Sequence, residues 1–449
     1  MENTIRDNKI MASTLYILPC KKAGSVDEYK LDKYELKRIN DDINLRTLIR
    51  GDVIDFINNK MKVHRIDFND NNVNAEICIR NIKGDDSNNT RTIFKLMRAY
   101  LIEIDVDNMF LVLNTCLPSD EIIVSSKDVI DRHSDFMNNY FKYDDNNKSA
   151  MLIRLNGNDY PLTSSSVDSI SSLFKIEFDF DNFNARFLMV STFMDPNIKM
   201  DGKNNEIYEF IDECVYLDSG SFIEKDYKSY RTERFITKSS NYGNVIAYKA
   251  IYDSKNNILK KANDKNMRAF YHELLYEYII ALNYKIRLEK FLIKIGKLKY
   301  ETKSSKEFKW MHDDLLEYKR FSSESYFVNV SGIDFSNSWY HNVWDGLDID
   351  ILDNEVESKF KYSMDYIKVK LDELESKNRK INKVLNTYTA FIVSLALFIL
   401  ALIQSISCLY DTDVTATVAK VAVIVAGVVL GIKILLDILN LLSNRKTKH

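Results

Sequence analysis

A chain of 449 residues is longer than one compact core usually serves, so more than one structural unit is expected. The net charge of −3, with 62 basic and 65 acidic residues mixed along the chain, excludes a strongly basic nucleic-acid surface and leaves direct nucleic-acid binding unexpected. A hydrophobic share of 45% and a mean hydropathy of −0.27 are ordinary for a water-soluble chain, so any membrane-seeking character must be local.

The first residues lack the basic and then apolar pattern of a signal peptide, and nothing there sends the first half of the chain across a membrane. Residues 1–260 hold all four prolines and most of the glycines, with short alternating runs and Asn/Asp-rich punctuation, which predicts an α+β (α/β) cytoplasmic domain. Cys20, Cys78, Cys116, Cys214 and, much later, Cys408 are odd in number and show no CxxC spacing, as expected of reduced thiols. Two stretches resemble each other as hairpin candidates, one from Ile102 through Asn108 and one from Ile176 through Asn182. Each places three alternating carboxylates on one strand face: Glu103, Asp105 and Asp107, then Glu177, Asp179 and Asp181. Such a face could hold a divalent cation or be a solvated edge ending in a turn. Arg46, Arg50, Arg80, Arg91 and Arg98 could meet phosphates, but linear order does not make them converge, so no ligand site is named.

Residues 261–386 read as a cytoplasmic helical and stalk region. Apolar residues at helical spacing predict a helix over 266–298, and a second follows around Lys306 to Arg320. His312, Asp313 and Asp314 lie on the second, where neighbours in sequence diverge, so a solvated role is expected. An aromatic connector, Tyr326 to Trp344, contains His341, which reads as structural. From Ile349 a long polar helix carries a narrow apolar seam at Leu352, Val356, Phe360, Met364, Ile367, Leu371, Leu374, Ile381 and Leu385. No proline or glycine interrupts the chain before Tyr388, so the stalk is expected to run straight into the apolar segment that begins there.

Residues 387–449 carry the apolar excess. Tyr388 to Leu409 has no charge over 22 residues, enough helix to cross a hydrocarbon core of roughly 30 Å. A second span is expected over 416–442, with Lys420, Lys433 and Asp437 near its ends and a Gly427 to Gly431 GxxxG spacing. Lys377, Arg379, Lys380 and Lys383 precede the first span, and Arg445, Lys446 and Lys448 follow the second, whereas the short connection carries only Asp411 and Asp413. This asymmetry predicts a two-helix transmembrane hairpin in the inner (plasma) membrane with both termini cytoplasmic.

The order of these parts, with the segment Arg320-FSSESYFVNVSG, then NSWYHNVWDGL and the stalk, resembles the CorA family of metal-ion transporters. The resemblance covers the last 190 residues, and the N-terminal domain only by analogy. It implies a homopentamer around the first span. The family's Gly-Met-Asn, which holds hydrated magnesium at the pore mouth, is absent, and Ser405 to Asp413 reads SISCLYDTD instead. Divergent members lacking the tripeptide include membrane proteins encoded beside type III CRISPR systems, which look like antiviral effectors answering a nucleotide messenger such as an adenylated S-adenosylmethionine (SAM-AMP). The resemblance thus implies a channel or effector opened by a small-molecule, nucleotide-type activator. A divalent-cation transporter of altered selectivity and a membrane-anchored enzyme remain the alternatives.

Spacing selects a pore face on the first span. Asn386, Thr389, Val393, Leu397, Leu400, Gln404 and, past the end, Asp411 fall within about 60° of one line on an ideal helix. Three apolar positions between polar ends would form a hydrophobic constriction beneath an acidic mouth favouring cations. The same face could instead pack on the second span. Phosphate-loop, dinucleotide and HExxH motifs are absent, and no catalytic residue is assigned.

Overall fold

The computed structural model describes residues 9–23, 37–38, 49–68, 73–80, 90–105, 108–117, 124–139, 150–162, 169–178, 187–194, 229–231, 235–240, 243–249, 252–253, 258–259, 270–297 and 305–407, together with 421, 425, 427, 432 and 433. The fold is mixed α and β. In chain order the elements are β1 (Lys9–Lys22), β2 (Lys37–Arg38), α1 (Gly51–Lys60), β3 (Lys62–Asp67), β4 (Ala75–Arg80), β5 (Thr90–Asp105), β6 (Asn108–Cys116), β7 (Val124–Ser125), α2 (Ser126–Asn139), β8 (Met151–Leu155), β9 (Asn158–Pro161), α3 (Ile170–Phe174), β10 (Ile176–Phe178), β11 (Phe187–Met194), β12 (Ser229–Arg231), β13 (Phe235–Ser239) and β14 (Gly243–Lys249). A small separate pair, Tyr252–Asp253 with Ile258–Leu259, comes next. One π-helical turn, Phe270–Leu274, leads into α4 (Leu275–Gly296), then α5 (Ser305–Ser325), α6 (Asp334–Gly346) and α7 (Ile349–Ser407).

The chain divides into two compact units, 1–290 with 323–354, and 291–322 with 355–449. The first is built on one large sheet whose main path runs β12-β13-β14-β11-β1-β6-β5-β4-β8-β9. Nearly all its pairings are antiparallel; β11 and β14 run parallel. One face holds Leu18, Ile66, Phe94, Leu101, Leu111 and Ile153, which pack with Val129 and Phe136 of α2 and Ile170 and Phe174 of α3. Residues that alternate with these, among them Leu15, Ile17, Tyr100, Ile102, Phe110 and Val112, are equally buried. The helix α4 meets the β5–β6 end of the sheet through Arg287 and Lys290, which bond Asp105 and Asn108. Burial on both faces explains the near-continuous apolar run of β6.

The resemblance between the two hairpin candidates does not carry over into pairing. The strands β5 and β6 do form a hairpin, with Ile102 opposite Phe110. By contrast β10 and β11 do not pair with each other; both lie antiparallel to β1, at Cys20–Lys22 and Met11–Ile17 respectively. The aromatic connector contains a helix of its own, α6. The loop before it is tied by Asn337, whose side chain accepts from the Val330 and Ser331 amides and donates to the Ser331 carbonyl. Between α6 and α7 the chain breaks at Asp348, which takes a left-handed φ of 54°.

In the second unit, Phe291 meets Tyr318, Phe321 and Phe360, and Tyr318 stacks on Phe360 at 5.6 Å. The Lys319 ammonium pairs with Glu357 at 2.7 Å beside them. This explains the upper half of the predicted seam: Val356 and Phe360 are buried, while Ile381 lower down is 59% exposed. The helix α7 runs unbroken for 59 residues, as the lack of proline and glycine predicts.

Candidate functional site

Among the described residues, one helix is long and apolar enough to cross a membrane. Its most apolar window has a mean hydropathy of 2.0 and only 6% of that window is buried. A soluble core helix of that composition would be covered on most sides. The described part of the expected second span is limited to Val421, Val425, Gly427, Ile432 and Lys433, so the second helix of the hairpin is not established by the fold.

On α7 the candidate pore residues divide. Asn386, Leu397 and Gln404 are exposed, Leu397 by 61%, whereas Thr389, Val393 and Leu400 are half-buried. Asp411 lies outside the described residues. The more covered side of the helix passes through Leu385, Thr389, Ile392, Ala396 and Ile403, so the candidate face sits at its edge. Both threonine hydroxyls at the start of the uncharged run are satisfied locally: Thr387 donates to the Lys383 carbonyl and Thr389 to the Leu385 carbonyl, each at 2.8 Å. Bonded this way, a hydroxyl enters an apolar phase without an unmet donor.

A second pattern was not visible beforehand. Tyr362, Tyr366 and Val369 on the polar part of α7 are exposed by 74%, 40% and 57%. Val384, Tyr388, Phe391, Leu395, Phe398 and Leu402 are exposed by 46–65%. On an ideal helix these nine positions fall within one sector of about 100°, roughly opposite the candidate pore face. A charged turn, Glu373 to Lys380, interrupts them.

The acidic strand faces are largely spoken for. Asp105 pairs with Arg287 and accepts two bonds from the Asn108 amide at 2.9 Å, and Glu103 pairs with Lys62 at 3.6 Å. Glu177 is exposed and pairs with Lys21 at 3.6 Å. Asp107, Asp179 and Asp181 lie outside the described residues. No group of three or more potential metal ligands occurs among the described residues. Of the arginines, Arg50, Arg91 and Arg98 each engage a carboxylate, on Asp52, Asp135 and Asp67, so none of these three is held ready for a phosphate; Arg80 is half-buried on β4, and Arg46 is outside the described residues. His312 and Asp313 are exposed, Asp314 pairs with Lys294, and the exposed His341 lies beside Tyr340.

The least expected site is inside the first unit. From Leu275 to Ile286 the helix α4 is buried on every side, yet it carries Glu277 at 0% exposure. Neither Glu277 oxygen, nor the Tyr340 hydroxyl, has a hydrogen-bond partner among the described residues. Burial, reinforced by the neighbouring Glu273, holds the Glu277 carboxyl well above the usual carboxylate range. The Tyr340 phenol is likewise pushed far up, by burial first and then by Glu277, Tyr284 and Tyr326. Around it Tyr284, Tyr326, Tyr340 and Trp344 form a ring cluster with centroids 5.0–6.1 Å apart. The one linear signal was a lone carboxylate in an otherwise apolar turn, Leu274 to Leu282.

No family model matches the chain, and no curated protein matches it.

Proposed function

We propose that this protein is a homo-oligomeric membrane channel of CorA-like build, a pentamer by that resemblance, that sits in the inner membrane with both termini in the cytoplasm and opens on binding a small cytoplasmic ligand. A nucleotide messenger of the SAM-AMP kind, in an antiviral setting, is the activator that the resemblance favours. The observation that carries the reading is the single helix α7, whose uncovered apolar sector resumes on the polar stalk, at Val369, Tyr366 and Tyr362, beyond the charged stretch Glu373 to Lys380. Lipid would cover Tyr388 to Leu402, but Tyr362, Tyr366 and Val369 lie beyond the uncharged run, where an apolar surface calls for a protein cover. A second copy of the same helix, present in both phases, supplies one. Self-association through this sector would leave Asn386, Leu397 and Gln404 facing another direction, available to a central pore.

The enzyme alternative loses support because Glu103 and Asp105 serve ion pairs with Lys62 and Arg287. The test is ion flux from liposomes holding the purified full chain. Leu397→Asn would let water persist at the constriction and leak without any activator. Leu395→Asn, which points about 160° away, should stay tight. Leakage from Leu395→Asn with a tight Leu397→Asn would refute the assigned pore face; silence of both, together with no flux under any cell-derived nucleotide fraction, would refute the channel.

A further inference from the structure

Charge along α7 is segregated by position. From Ile349 to Glu375 eight acidic residues accompany four basic ones, whereas from Ser376 to the helix end at Ser407 there are four basic residues and no acidic one. Those four, Lys377, Arg379, Lys380 and Lys383, are all exposed. Arg379 pairs with Glu375 at 3.3 Å, and among the described residues no carboxylate pairs with the three lysines. Higher on the helix the pattern differs, for Lys359 pairs with Glu355 and Lys370 with Glu373. At 1.5 Å per residue, Lys383, Lys380 and Lys377 stand about 7.5, 12 and 16.5 Å before Tyr388, where the uncharged run begins. With Tyr388 at the hydrocarbon boundary, Lys383 lies within a headgroup layer about 5–8 Å deep. The other two then lie within about one Debye length of that layer's surface.

The four basic side chains spread over about 160° of the helix circumference instead of converging on one point. A shallow groove on the same turns is lined by Asp372 and Glu375 as well as by Ser376, Arg379, Lys380 and Lys383, so a lone phosphate there would meet two carboxylates. No aromatic residue lies between Ser376 and Thr387 to stack a base. Unpaired charge wrapped around a helix at this depth suits a layer of many phosphates better than one small anion. We infer that Lys377, Lys380 and Lys383 form a collar that binds the headgroups of anionic phospholipid in the cytoplasmic leaflet. The inference rests on the membrane reading proposed above.

The experiment is electron spin resonance of the full chain in phosphatidylcholine liposomes, with a trace of spin-labelled phosphatidylglycerol or spin-labelled phosphatidylcholine. The motionally restricted fraction of each label reports the lipid held against the protein. Phosphatidylglycerol should be preferred by about fivefold or more, the worth of one well-placed lysine at a charged surface. The preference should fall in 1 M salt, where the Debye length is about 3 Å. Lys377→Gln, Lys380→Gln and Lys383→Gln combined should abolish it. Lys361→Gln with Lys368→Gln, about 30–40 Å before Tyr388, should leave it intact. Equal restriction of both labels, a preference that survives the triple substitution, or one lost equally in the distant pair would overturn the collar while leaving the membrane reading in place. No restricted fraction for either label would refute the membrane reading and the collar with it.

Discussion

His133 gives the first unit's stability a pH dependence whose expected size can be worked from its surroundings. Its ring is fully buried against Tyr16 and Phe94, and Phe136 stacks on Tyr16 beside it. One ring nitrogen faces the Tyr16 hydroxyl and the other bonds the Thr14 hydroxyl at 3.1 Å, so the neutral imidazole, with one donor and one acceptor, is satisfied. Burial lowers its pKa from 6.5 to about 3. Because the folded value lies below the unfolded one, the unfolded chain takes up the proton first. Stability is therefore full above about pH 6.5 and declines as pH falls toward the folded value. The slope approaches about 1.4 kcal/mol per pH unit, and the whole window is worth about 5 kcal/mol at most. Urea unfolding of the full chain in detergent, followed by tyrosine and tryptophan fluorescence at a series of pH values, reads this slope. His133→Gln removes the titration while keeping an amide for one of the two partners. It should be less stable than wild type at neutral pH and markedly less sensitive to acid. Equal acid slopes for wild type and variant would refute the reasoning.

Two further expectations are independent of that histidine. A methyl group at Gly346 would meet Ser239 Cβ at 2.6 Å and its carbonyl carbon at 2.7 Å. Gly346→Ala should therefore push α6 off β13 and cost about 1–3 kcal/mol by thermal unfolding, and an unchanged midpoint would mean the contact is slack. A cysteine placed at Thr412 should react with an impermeant reagent from outside the cell while one at Lys446 is protected, and the reverse pattern would invert the orientation drawn from the lysine and arginine bias.

How far the sequence could be read depended on whether the signal was local. The uncharged run after Tyr388 and the missing proline and glycine before it act within single turns, and the helix Ile349–Ser407 results from them. The β5–β6 hairpin was also legible, because alternation and an Asp-Asn turn are short-range features. The run after Ile176 showed the same alternation, but alternation names a face and not a partner, and β10 and β11 each took β1. The helix Asp334–Gly346 was hidden because its buried Trp339, Tyr340, Val343 and Trp344 read as a generic aromatic stretch. The acidic face lost its metal-site look through Arg287, 182 residues from Asp105, a distance no spacing rule spans. Glu277 became conspicuous only when the fold closed α4 on every side. The same limit applies to the exposed sector of Tyr362, Tyr366 and Val369, since sequence periodicity marked first the neighbouring seam, of which Val356 and Phe360 are buried.

The mass of the assembly in lipid tests the central claim most directly. The full chain, reconstituted in nanodiscs and weighed by native mass spectrometry, should be a closed ring of five copies. Replacing Tyr362, Tyr366 and Val369 together with Ser should loosen that ring without unfolding the sheet unit. A stable monomer in lipid, or a ring indifferent to all three substitutions, would contradict the account.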